Sequence, residues 1–344
     1  METYDVNAHI HTPYSFSAFS SVEEALDHAA EEGVRVVGIN DFYSMDGYEA
    51  WKAGCAERRL FPLFGIEFIS VNLEDQAAGL RVNDPGNPGR TYISGKGLNC
   101  PVTLSGEPLR QLEAVRAESN AQVEKMCGKL NEWLAAEGHG IVLDFDRIKA
   151  GLTRGSVRER HLAKALRMAL YPEAENPAKT ENELRSKLLK AGGPAFVPEE
   201  PSAFLPMTTV QRIIEAAGGI PTYPFLADDA KGNFTDFEGD LMKAADTLKK
   251  RGFRSVEFIT TRNTTAVLEQ YAGYLEDEGF LVSFGSEHNT PAMEPVRLRT
   301  RDAAELSDKL KAINWRGACA IAAHQAGLDS LAAGEEIIRK TLEA

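Results

Sequence analysis

The chain has 344 residues and a formal net charge of −13. That length suits one large α/β barrel or two domains, and 43% hydrophobic with 26% charged residues is ordinary for a globular protein. The acidic balance argues against a nucleic-acid partner, and no stretch approaches the ~18–20 apolar residues of a membrane helix. The four cysteines, Cys55, Cys100, Cys127 and Cys319, show neither paired nor metal-ligand spacing. With a polar, acidic start lacking an apolar run, they point to a reducing, cytoplasmic setting.

Strand and helix signals alternate from the start. Tyr4–His9 reads as a strand, and Ser21-Val22-Glu23-Glu24 is a capping box opening a helix to about Glu32. Val34–Ile39 is a β-branched run, Tyr48–Arg58 a helix, and Phe61–Ile69 a third strand. This βαβαβ rhythm with short connections predicts parallel strands and right-handed crossovers. From Glu74 to about Glu107 the density of Gly, Pro, Asn and Asp predicts turns. Leu109–Ala136 reads as a long helix and Gly140–Leu143 as a short strand. Helices are expected over Val157–Leu170 and Thr180–Lys190, then a Pro-rich connector to Pro206. The rhythm resumes with helix Val210–Ala217, strand Gly219–Pro224, helix Leu241–Arg251, strand Ser255–Ile259, helix Thr265–Glu276 and strand Phe280–Phe284. Ala303–Ile313 and Glu335–Leu342 read as terminal helices. The expected division is a first barrel part, 1–73, an insertion, 74–137, and the rest of the barrel, 138–344, with a helical segment over 155–206.

His9 and His11 are two residues apart, so on an extended strand both imidazoles project from one side and make half of a metal site. His9, His11, Asp41, Glu67, Tyr223, Glu257, Glu287 and His288 all fall at or near the C-terminal ends of expected parallel strands, where barrel active sites lie. Each has a bland reading: Asp41 as the start of a turn, Glu257 as a solvated edge charge. Together, two imidazoles and two carboxylates suit zinc, manganese or iron.

His9-Ile10-His11-Thr12-Pro13-Tyr14-Ser15, Asn40-Asp41, Gly65-Ile66-Glu67 and Gly285-Ser286-Glu287-His288 resemble, in order, motifs of the PHP (polymerase and histidinol phosphatase) superfamily. Thr153-Arg154 with Arg160–Leu166 is similar to a helical segment of PHP phosphoesterases, and Ala216–Pro224 to a segment that normally ends in His-Pro. The resemblance implies a distorted (β/α)7 barrel, TIM-like in plan, and usually three metals hydrolysing phosphate esters. In the family Asp or His is usual where Phe16 stands, and His where Phe42 and Tyr223 stand. Glu287 and His288 are adjacent where the family separates its last two ligands by one residue. The surviving ligands map to His9, His11, Glu67 and Glu287, which implies one divalent ion per chain, with Tyr223 and the two phenyl rings filling the vacated space.

One ion either activates a water or polarises a carbonyl. The expected function is therefore a metal-dependent hydrolase of a small anionic substrate, such as a phosphate ester, through an activated water. A metal-dependent isomerase, epimerase or lyase on a sugar or sugar acid is the alternative, and a non-catalytic metal-binding protein the third reading. Asp41 is the expected base, Tyr223 the proton donor or oxyanion partner, and His288 a further catalytic candidate. Arg90, Lys96, Arg154 and His161 are candidate substrate-binding residues, and Arg158 and Arg160 cluster with them. Each has solvated surface charge or a helix start as its plain explanation. Gly95-Lys96-Gly97 is no P-loop, lacking the upstream glycine and the following Ser or Thr. His28, His139 and His324 are expected to be structural, and self-association is left open.

Overall fold

The structure is a computed structural model that describes residues 3–344. The chain runs β1 (Asp5–Ile10), α1 (Val22–Glu31), β2 (Val34–Phe42), α2 (Tyr48–Glu57), β3 (Phe61–Val71), a short α3 (Leu73–Ala77) and β4 (Arg90–Lys96). There follow α4 (Gly106–Ala136), α5 (Phe145–Leu152), α6 (Glu159–Leu170) and α7 (Pro177–Leu184), then the two-residue β5 (Leu205–Pro206). The last part is α8 (Met207–Ala216), β6 (Ile220–Phe225), α9 (Leu241–Lys250), β7 (Ser255–Ile259), α10 (Thr265–Asp277), β8 (Leu281–Gly285), α11 (Asp308–Gln325) and α12 (Leu331–Glu343).

Seven strands form one sheet in the order β1-β2-β3-β4-β6-β7-β8, with β5 added on the end of β3. The sheet curls until Ile10 bridges Glu287 in parallel, where His11 N–H donates to Glu287 O at 2.7 Å and Glu287 N–H donates to His9 O at 3.0 Å. The result is the distorted, nearly closed barrel that the sequence led us to expect. Gly285 makes the closure fit, since a Cβ there would lie 2.2 Å from His9 Cβ.

Two strand assignments change. β4 lies inside the turn-rich stretch and is antiparallel to both β3 and β6, so the expected insertion supplies a barrel stave. Gly140–Leu143 is not a strand. Asn131 on α4 pairs with both the N–H and the C=O of Leu143, taking the place of a neighbouring strand. α4, about 46 Å long at 1.5 Å per residue, spans two cores. Leu112 and Val115 join the barrel core, while Val123 to Leu134 form a second core with Ile148, Leu162, Leu166, Leu188 and Leu189. The division between barrel and helical lobe therefore falls within α4. The expected Ala303–Ile313 helix begins later, at Asp308, capped by Ser307.

Candidate metal centre and arginine-lined cavity

β1 and β3 deliver three metal-competent side chains to one buried point. His9 Nε2 and His11 Nε2 are 3.2 Å apart, and Glu67 Oε2 lies 3.1 Å from His11 Nε2 and 3.7 Å from His9 Nε2. All three are buried, and among the described residues they form the one compact group of His, Cys, Asp and Glu able to hold an ion.

Their outer partners fix the tautomers. His9 Nδ1 lies 3.0 Å from Glu257 Oε2, so it carries the proton and leaves Nε2 unprotonated, with Asn40 Nδ2 3.1 Å from it. The Ser15 hydroxyl donates to Asp41 Oδ1 at 2.6 Å, so at 3.1 Å it accepts from His11 Nδ1, which likewise leaves Nε2 unprotonated. Two imidazole nitrogens and Glu67 Oε2, the latter lacking any other hydrogen-bond partner, thus face one another in a dry site. Such an arrangement is repulsive unless a cation or proton sits between them. Burial, with Glu257 beside it, pushes the Glu67 carboxyl up to about 8, and burial pushes His9 down to about 3. A proton on Glu67 serves in the absence of an ion. Two imidazoles and a carboxylate with outer hydrogen-bond partners fit a divalent metal.

Above this point lies a cavity of about 330 Å³, whose wall includes Glu67, Glu287, Phe16, Phe42, Tyr92, Asn83 and Asn289. Four arginines line it: Arg158, Arg160, Arg185 and Arg262. Arg185 pairs with Glu159, and Arg262 donates to both oxygens of Glu287 at 2.7 and 2.8 Å. Arg158 lies 4.6 Å over the Phe42 ring and Arg160 5.8 Å over Phe16. Among the described residues neither has a carboxylate partner. Burial, with the neighbouring Arg185, pushes the Arg160 guanidinium down to about 10, while Glu159 and Glu287, also in the cavity wall, pull it the other way.

Several expected site residues lie elsewhere. Glu287 reaches the cavity, but its carboxylate is held by Arg262 and stands outside the compact ligand group. Asp41 does not line the cavity: Thr12 N–H at 2.8 Å, the Thr12 hydroxyl and the Ser15 hydroxyl all donate to it, so it steadies His11 and has no free face for a base. Tyr223 points to the outer side of β6, packed against Phe225, Phe237 and Phe253, and donates to Glu238 at 2.7 Å. Strand alternation turns its neighbours Thr222 and Pro224 inward instead, and Pro224 lines the cavity. His288 has both ring nitrogens engaged, by the Ser286 hydroxyl and Glu294 O, each at 2.8 Å. Phe16 and Phe42 do line the space, and Phe42 stacks on His11.

Of the expected substrate-binding residues, Arg90 does not line the cavity but pairs with Glu199 and with Asp84, which does, and Arg154 is exposed. His161 is buried, accepting the Arg158 backbone N–H at 2.9 Å. Lys96 is buried inside the barrel against Glu257. Glu257 itself is fully buried and no edge charge. His28 and His139 pack on Phe19 and Trp133, and His324 bonds Gly218 O. Arg185 and Arg262 were not singled out in the sequence. Arg262 carried a usable signal, since it ends the short turn that follows β7, at the C-terminal end of that strand.

The PHP domain family pattern matches residues 7–141, which hold His9, His11 and Glu67. That match spans the first part of the barrel, from β1 through α4, and is a likeness to the PHP domain. No curated protein sequence matches it. A candidate metal-dependent phosphoesterase from Bifidobacterium adolescentis has the same fold: 15% identity, a TM-score of 0.63, and coverage of 91% of this chain and 96% of that one. An amidohydrolase from Chromobacterium violaceum, with bound sulfate and no metal, follows at 17% identity and a TM-score of 0.62, covering 90% and 96%. Among the described residues no helix is long and apolar enough to cross a membrane.

Proposed function

We propose that this protein hydrolyses a small anionic ester, a phosphate ester first among them, at a single divalent ion held by His9, His11 and Glu67. The observation that carries the reading is the convergence of two imidazole nitrogens and a carboxylate oxygen at the base of a cavity whose wall includes four arginines. When bound, a divalent ion supplies Lewis acidity for activating water or polarising the ester.

The chain's own residues do the rest. Arg158 and Arg160, which lack carboxylate partners, grip and orient the anion. Phe16 and Phe42 wall off bulk water and occupy the space of further ligands, which holds the site to one ion. Glu287 faces the cavity near enough to feel the charges of Glu67 and His11, and is placed to take up or deliver a proton. Asp41, through Ser15, keeps the His11 lone pair aimed inward.

The test is elemental analysis of protein purified without added metal, followed by a screen of phosphate esters. About one ion per chain is expected, with phosphate release that His9→Ala abolishes. Three ions per chain, or turnover untouched by His9→Ala, would overturn the proposal.

A further inference from the structure

Lys96 crosses the inside of the barrel. From the end of β4 its ammonium reaches Ala8 O on β1 at 3.0 Å, Asn40 Oδ1 on β2 at 3.1 Å and Glu257 Oε2 on β7 at 2.7 Å. Three N–H bonds meet three acceptors, and the side chain is 2% exposed. Stability alone is a poor reason for it, because apolar replacement of a buried ion pair is often neutral or stabilising.

What the three acceptors have in common is His9. Glu257 Oε2 takes the His9 Nδ1 proton at 3.0 Å. Asn40 Nδ2 lies 3.3 Å from His9 Nδ1 and 3.1 Å from Nε2. Ala8 O belongs to the peptide bond that enters His9. The Asn40 amide has two orientations, and the one with Oδ1 toward Lys96 is the one that turns Nδ2 onto the imidazole. Lys96 thus sets both side chains that flank the His9 ring.

We propose that Lys96 is a positioning residue for the metal: by orienting Glu257 and Asn40 it holds His9 in the tautomer whose Nε2 lone pair faces His11 and Glu67. This rests on the metal reading above. Without Lys96 the two flanking side chains lose their common anchor, Asn40 keeping only the 3.3 Å bond from its Nδ2 to Ser94 Oγ beside the imidazole, and His9 can take its other tautomer. With Lys96 present and Glu257 made neutral, an uncompensated ammonium stands beside the site and repels a divalent cation.

That last consequence separates positioning from packing. Zn²⁺ affinity is measured by competition with a chromogenic chelator, on the full chain, for the wild type, Lys96→Met, Glu257→Gln and the double variant. Each single change is expected to weaken binding by about 10- to 100-fold, the range for outer partners of metal ligands. The double variant is expected to bind Zn²⁺ more tightly than Glu257→Gln alone. Losses that simply multiply in the double variant would overturn the proposal, as would a Lys96→Met protein that binds like the wild type. Should Lys96→Met lose the circular dichroism of the folded chain, Lys96→Gln, which keeps an N–H donor, takes its place with the same order expected. A wild-type chain that takes up no Zn²⁺ sinks the metal reading itself. Zn²⁺ uptake with a multiplicative cycle sinks only the role of Lys96.

Discussion

Tyr223 donates its hydroxyl to Glu238 at 2.7 Å on the outer side of the barrel wall, one residue away from the inward-facing Pro224. The bond fastens the loop after β6, because Glu238 also accepts the backbone N–H of Leu226 and Ala227. Tyr223→Phe is therefore expected to leave metal content and turnover within twofold of the wild type. It should lower stability by about 1 kcal/mol, the usual net worth of one hydrogen bond. Denaturant melts and elemental analysis of the same preparation check both halves. A large loss of turnover with intact stability would return Tyr223 to the chemistry.

Gly285 tests how tightly the barrel closure and the ligands are linked. A Cβ at this position would meet the Cβ and backbone of His9. Backbone cannot yield as a flexible side-chain tip can, so Gly285→Ala must push β8 away from β1. Overpacking of this kind costs about 1–3 kcal/mol, and the displacement falls directly on His9 of the candidate metal cluster. Metal retention after dialysis against a chelator is expected to fall at temperatures where the fold persists. Gly128→Ala is the control: this glycine lies in α4 with nothing within 4 Å of the added methyl. There a gain of about 0.5–1 kcal/mol is expected, from better helix propensity.

The cationic wall makes a prediction about ligand charge. Arg160 has Asn182 Oδ1 at 3.1 Å as its hydrogen-bond partner, and Arg158 has Ser119 Oγ at 3.3 Å. Both are neutral groups that an anion can outcompete. Charge-assisted contacts contribute about 1.5–3 kcal/mol each. Arg160→Gln is thus expected to weaken inhibition by inorganic phosphate by about tenfold or more, leaving metal content unchanged. Inhibition constants at fixed ionic strength decide it. A variant with wild-type phosphate inhibition would mean that the anion sits elsewhere.

Much of this was legible before any coordinates, and the misses have physical causes. β1, β2, β3, β6, β7 and β8 announce themselves because buried parallel strands are near-continuous apolar runs, as in Val34-Arg35-Val36-Val37. β4, Arg-Thr-Tyr-Ile-Ser-Gly-Lys, is polar and lies among turns, and its buried Ser94 and Lys96 make sense only with the barrel interior in view. Gly140–Leu143 looked like a strand from its apolar run, but four residues do not show whether Asn131 or another strand will satisfy their backbone. The grouping of His9, His11 and Glu67 was readable because it needs only the right chemistry at strand positions that face one way. The roles of Asp41, Tyr223 and His288 were not, since those depend on which face of the strand each side chain takes and what it meets there. Sequence also could not show that Arg185 on the helical lobe and Arg262 after β7 face the same cavity.

His161 gives a stability prediction with a defined sign. It lies in the first turn of α6, accepts the Arg158 backbone N–H through Nδ1, and lies edge-on to Phe16. Burial pushes its pKa down to about 3, helped by the charges of Lys164 and Arg158. In the unfolded chain it titrates near its ordinary value of about 6.5. Between those values the unfolded chain binds a proton that the folded chain refuses, so stability rises with pH. The contribution is complete above about 6.5, has fallen by about 2 kcal/mol at pH 5, and keeps falling toward pH 3. His161→Gln retains a side-chain acceptor for the Arg158 N–H and does not titrate. Urea melts from pH 7.5 to 5 are expected to show a steeper decline for the wild type than for His161→Gln, the gap between the two slopes reaching about 2 kcal/mol at pH 5. Parallel curves would mean that His161 accepts a proton inside the fold without cost. The neutral hydrogen-bond acceptor in the first turn of α6 would then be wrong.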